Sequence, residues 1–168
     1  MNDSAIIYYR QALKFNSDNS EAKRRLSVLD GSFNEINLSD PVEIYNKLAA
    51  CFNSANYEEA LLHTGYLLEI NYMTENVHYM KAMIHLNLKD TASALISYSK
   101  VIKSGKNLQY KFNSLYNRGV VYYQRNQFKK ALSDFQAALK IKDPDGDQLR
   151  QSLRSLVKDC KRRLKGSG

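Results

Sequence analysis

Tryptophan is absent from this chain of 168 residues, which holds only two prolines, seven glycines, two cysteines and three histidines. So few prolines and glycines cannot supply the many tight turns of a β-sandwich or barrel. Two cysteines, Cys51 and Cys160, are too few for a disulfide framework and point to a reducing compartment. No stretch approaches the roughly 18 consecutive apolar residues that a membrane span needs. The opening Met1-Asn2-Asp3-Ser4 lacks the basic start of a secretory leader, so none is expected. What remains is ordinary for a folded domain: 43% hydrophobic and 25% charged residues, with twelve tyrosines as the one compositional excess.

Charge is unevenly placed. Residues 1–74 carry six basic and ten acidic side chains, whereas residues 75–168 carry nineteen and seven. The last 23 residues alone hold seven basic against two acidic groups. Such polarity bears on association and solubility rather than on fold. It would suit an acidic partner, a nucleic acid or an anionic membrane.

A small-residue landmark recurs: Tyr57-Glu58-Glu59-Ala60-Leu61, Thr91-Ala92-Ser93-Ala94-Leu95 and Phe128-Lys129-Lys130-Ala131-Leu132. Ala60 and Ala94 are 34 residues apart, and Ala94 and Ala131 are 37 apart. At constant offsets upstream sit Tyr45, Tyr79 and Tyr116, then Lys47, Lys81 and Arg118, then Leu48, Ala82 and Gly119. The apolar period is helical throughout, so each unit reads as two helices joined by a short turn. In the last unit Leu115, Gly119, Tyr122, Phe128, Ala131, Phe135, Ala138 and Pro144 make a pattern that resembles the tetratricopeptide repeat family. Its physical content is packing: Gly119 lets the second helix approach closely, and Ala131 and Ala138 do so from the other side. Residues 75–108 match less fully through Ala82, Ala94 and Tyr98, and residues 41–74 through Tyr57, Ala60 and Leu67.

The resemblance implies an all-α fold, a right-handed α-solenoid of antiparallel helix pairs, with about nine helices in one domain. Three repeats are expected at 41–74, 75–108 and 112–145. Residues 1–31 read as a partial repeat, its second helix over 5–15, followed by a short helix over 20–29. The chain thus reads as opening at the broken end of a longer array, or as a fragment of one. Residues 32–40 are a polar linker, and Asp40, Pro41 and Glu43 form a helix start. Residues 146–165 form an amphipathic capping helix with Leu149, Leu153, Leu156, Val157, Cys160 and Leu164 on its apolar stripe, and 166–168 a flexible tail.

No catalytic constellation is present, and no enzyme, cofactor, metal site or small-molecule substrate is expected. His78 and His85 are seven residues apart, not the four of a helical metal pair. His85 and Cys51 fall where the family places an aromatic packing residue, and His63 has no histidine partner.

The resemblance implies instead a concave groove, lined by the first helix of each repeat, that holds a peptide or helix of another protein. Carried over residue by residue, its lining is Tyr45, Asn46 and Phe52, then Tyr79, Met80 and Met83, then Asn113, Tyr116, Asn117 and Tyr123. Tyr79 and Tyr116 would point away from the inter-helix core, ready for a partner. The carboxylate clamp of the co-chaperone members needs Lys, Asn, Asn, Lys and Arg. Here Tyr45, Ala49, Met80, Asn113 and Asn117 stand in those places, so a chaperone C-terminus is excluded as ligand. An interaction module or adaptor in the cytoplasm is the function expected. The alternative is an electrostatic tether, in which Arg150, Arg154, Lys158, Lys161, Arg162 and Lys165 bind an acidic partner, an anionic membrane or nucleic acid. Residues 5–15 offer an apolar face through which the chain could self-associate.

Overall fold

The computed structural model describes residues 40–142 and 147–166, together with Ala22, Arg25 and Leu26. The expected helix over 5–15, the linker over 32–39 and Pro144 lie outside the described residues, as does the tail beyond Gly166. The chain divides into two compact units, 1–73 and 74–168. Every regular element among the described residues is an α-helix, and none of these is long and apolar enough to cross a membrane.

The first unit contains α1 (Pro41–Asn53) and α2 (Tyr57–Glu69). Asp40 caps α1 by accepting the Val42 N–H at 3.0 Å, and Pro41 takes the first turn, where its missing donor costs nothing. Glu43, expected to close a capping box, pairs with Lys47 one turn on at 2.7 Å. Ile44 and Leu48 of α1 are buried, as are Ala60 and Leu67 of α2. Arg25 reaches Glu69 at the end of α2, 3.6 Å away.

The second unit contains α3 (Thr74–Asn87), α4 (Thr91–Ser104), α5 (Leu108–Gln124), α6 (Phe128–Lys140) and α7 (Asp147–Lys165). Successive helices pack against one another, and α3 also touches α5. Gly105, in the left-handed conformation, ends α4. Both oxygens of Glu75 at the start of α3 accept the backbone N–H groups of Lys106 and Asn107 at 2.8 Å, which fastens the connection into α5. Asn107 then caps α5 through Tyr110 N–H.

One turn geometry closes the first helix of each of the three pairs, and it recurs after α2 at Asn71, where the Tyr72 N–H donates to the Leu67 carbonyl at 2.8 Å. Ala55, Lys89 and Asn126 each adopt positive φ, at 59°, 61° and 57°. The next residue in each case donates to the carbonyl five positions earlier: Asn56 to Cys51, Asp90 to His85 and Gln127 to Tyr122, at 2.8, 2.8 and 2.9 Å. This is the left-handed closure that satisfies the last carbonyls of a helix and turns the chain sharply back. Its spacing follows the alanine landmarks and sets each second helix antiparallel to the first.

The crossings are close where small residues meet. A β-carbon added to Gly119 would lie 2.5 Å from Cε1 of Phe135, far inside van der Waals contact. Ala131, Phe135 and Ala138 are fully buried on the facing helix. The capping helix is also as expected: α7 packs on α6, burying Leu153 and Cys160 completely, with Leu149, Leu156 and Val157 against the same cluster. α7 thereby covers the apolar face that α6 turns towards it.

Candidate functional site

In the second unit the first helices of two neighbouring pairs, α3 and α5, lie side by side. Asn117 donates its amide to the Tyr79 hydroxyl at 3.0 Å, and Asn76 donates to the Tyr110 hydroxyl. The ring of Tyr79 sits 5.9 Å from that of Tyr98 and 5.7 Å from that of Tyr110. Burial holds the Tyr79 hydroxyl above the ordinary tyrosine range, and the Tyr98 hydroxyl likewise. Tyr79 is therefore built into the junction between helices. Tyr116 packs at a tilt against the buried Phe135, with ring centroids 6.4 Å apart. Both correct the expectation that these side chains point away from the inter-helix core.

The other groove residues of this unit sit along the same helices. Met80 and Met83 on α3, and Asn113 and Asn117 on α5, are all partly buried. Asn113 accepts from Gln109 at 3.3 Å. Tyr123 is committed elsewhere: its hydroxyl donates to Asp159 of α7, and its ring meets Phe128 edge-on at 5.5 Å. The hydrogen bond from Tyr123 and the Arg163 guanidinium hold the Asp159 carboxyl down to about 2. Arg163 lies over both the Tyr123 and the Phe128 ring, at 5.5 and 5.2 Å. Arg163 is not among the basic residues the sequence singled out, and only the fold shows it holding the cap through these two rings. On α1, Tyr45 is partly buried against Tyr72, Phe52 meets Tyr57 edge-on, and Asn46 is exposed.

The basic helix divides into two sets. Arg154, Lys158, Lys161, Arg162 and Lys165 are exposed. Arg162 pairs with Asp159. Arg150 departs from the expected basic surface: it is partly buried and donates to the carbonyls of Leu139 and Ile141, closing the end of α6.

Inside α5 and α6 a polar device escaped the sequence pattern. Arg118 grips Asp134 through two parallel hydrogen bonds of 2.8 and 2.7 Å, and reaches Ser99 on α4 at 2.7 Å. Asp134 is 5% exposed. The carboxylate raises the Arg118 guanidinium above its ordinary value. Tyr122 lies 5.9 Å from the guanidinium carbon.

The corresponding interior of α1 and α2 holds Cys51, Glu59 and His63, whose candidate ligand atoms all lie within 4.8 Å of one another. His63 is 6% exposed, and neither ring nitrogen has a hydrogen-bond partner. A buried polar group left so costs about 1–3 kcal/mol. Burial lowers the His63 pKa, and burial followed by the Glu59 charge raises that of the Cys51 thiol. Searching the sequence for histidine pairs missed this grouping, because its members sit on two helices. The signal available was Glu59 and His63 at four-residue spacing, with Cys51 at the end of the preceding helix.

Two family models bear on the chain. Both are described as tetratricopeptide repeat; one matches residues 75–104 and the other residues 112–143. No curated protein matches the chain.

Proposed function

Because the chain belongs to the tetratricopeptide repeat family, whose repeats are in general non-catalytic modules for binding other proteins, we propose that it is an adaptor. It holds a peptide segment or helix of a partner along the first helices of its repeats. The observation that carries this reading is the pairing of α3 with α5 through Asn117 and Tyr79. That pairing brings α3, which carries Met80 and Met83, beside α5, which carries Asn113 and Asn117, and all four side chains are partly exposed. Methionine adapts to irregular apolar partners, and asparagine can both donate to and accept from a peptide backbone. A reducing, intracellular setting goes with this reading, since both thiols are free.

The exposed cations of α7 favour a second reading, the electrostatic tether. Selection from a random peptide library on the full chain, followed by binding measurements, separates the two. Met80→Glu with Met83→Glu should weaken a selected peptide at least about tenfold if these residues are the site. Arg154→Gln with Lys158→Gln and Lys161→Gln should slow association and leave complex lifetime nearly unchanged. If the charge variant abolishes binding, binding falls steeply with salt, and the methionine variant binds normally, the tether replaces the groove.

A further inference from the structure

The interior of the first helix pair gathers a thiol, a carboxylate and an imidazole where the last pair has only a self-contained ion pair. We propose that Cys51, Glu59 and His63 form a binding site for one zinc ion, with water as the fourth ligand.

Four observations converge on it. The Sγ of Cys51, a carboxylate oxygen of Glu59 and a ring nitrogen of His63 lie within 4.8 Å of one another. His63 is more than nine-tenths buried, and both its ring nitrogens lack a hydrogen-bond partner. Its Nε2 stands 3.9 Å from the Glu59 carboxylate, too far for a hydrogen bond and suited to an ion between them. Asn56 donates to the other oxygen of Glu59, so the carboxylate is already oriented by a neighbour, as metal-binding carboxylates are.

The donor set selects the ion. A thiolate beside an imidazole disfavours magnesium and calcium, which take oxygen ligands in higher number. Sulfur, nitrogen and oxygen donors in a three-plus-water arrangement suit tetrahedral zinc. Ligand atoms around such an ion stand roughly 3.3–3.8 Å apart, as bonds of about 2.0–2.3 Å require. Contraction by about an ångström is within reach of Glu59, whose side chain is 52% exposed. On binding, the thiol gives its proton to solvent and the sulfur lone pair goes to the metal. Lys47, whose charge reaches His63, is paired with Glu43 at 2.7 Å. The bond set would staple α1 to α2 and make the stability of this pair depend on metal.

The test uses the full chain, freed of metal by a chelator, then titrated with cobalt(II) and back-titrated with zinc. Cobalt should give a thiolate charge-transfer absorption at one equivalent, and zinc should displace it. The absorption should persist in Cys160→Ser, whose cysteine lies on the buried face of α7, and vanish in Cys51→Ser. His63→Gln and Glu59→Gln should each weaken zinc at least about tenfold. Glu59 is exposed, so that variant keeps the test valid even where Cys51→Ser fails to fold. Absence of the cobalt absorption in the wild type, or unchanged zinc affinity in Glu59→Gln and His63→Gln, overturns the proposal.

Discussion

The α1–α2 pair and the α5–α6 pair are built on the same frame and wired differently inside. Their turns share the left-handed residue, Ala55 in one and Asn126 in the other, and the same backbone closure. At three equivalent positions the first pair carries Lys47, Cys51 and His63, and the last carries Arg118, Tyr122 and Asp134. In the last pair the cation, the aromatic ring and the carboxylate satisfy one another. In the first pair the lysine turns outward to Glu43, and the histidine is left buried with neither nitrogen bonded. The turn and the small-residue crossings therefore suffice to make the hairpin, while the polar interior is free to vary. One version locks the pair, and the other leaves donors available to a ligand.

The largest effect should come from breaking the locked interior. Arg118→Met strands Asp134 in the core and should cost ~3 kcal/mol, the lower end for a broken buried pair because Arg118 keeps 19% exposure. Urea denaturation measures it, and a second change, Asp134→Leu, should restore much of the loss. No loss in the single variant would mean the ion pair does not lock this hairpin.

Next comes the close crossing. Gly119→Ala places a methyl group 2.5 Å from the Phe135 ring and should destabilise the chain by about 1–3 kcal/mol. An unchanged thermal midpoint would show that the helices can separate there at no cost.

Acid should distinguish the pairs. All three histidines lie in residues 63–85, none in α5 or α6, and burial is the leading cause of the lowered pKa of each. For His78 the folded value is about 4 against an ordinary 6.5. The unfolded chain therefore binds these protons first, and stability should fall as pH drops from about 6.5 towards 4. Amide exchange at pH 7 and pH 5 should show faster opening of α2 and α3 in acid, with α6 changed least. Equal sensitivity of α6 would remove the histidines as the cause.

A smaller effect of opposite sign is expected at the orphaned site. Without added metal, His63→Leu should be neutral or stabilising by up to ~1 kcal/mol, since it removes an unpaired polar group. Asp134→Leu at the equivalent position should be clearly destabilising, because it leaves Arg118 alone. If both substitutions behave alike, the contrast between the two interiors has no energetic content. The smallest change is Ala55→Gly, which relieves a left-handed alanine and should raise stability by about 0.5–1 kcal/mol.

Much of this was written in local patterns. The spacing of Ala60, Ala94 and Ala131 located the helix pairs, Gly119 located a close crossing, and the stripe from Leu149 to Leu164 described the cap. Such features depend on which residues fall on one face of a helix, and a period of 3.6 residues makes that readable from order alone. The partners of polar side chains were not readable in this way. Arg118 meets Asp134 sixteen positions on, Tyr79 meets Asn117, Arg150 closes α6, and Cys51 comes beside Glu59 and His63. Each depends on the rotation and height at which two helices cross, and on the rotamer that fills the gap. Sequence by itself determined the helices, their pairing and the apolar faces. Only the tertiary structure decided which polar groups satisfy one another and which are left open, because hydrogen bonds and metal ligation need ångström-scale placement that apolar contact does not.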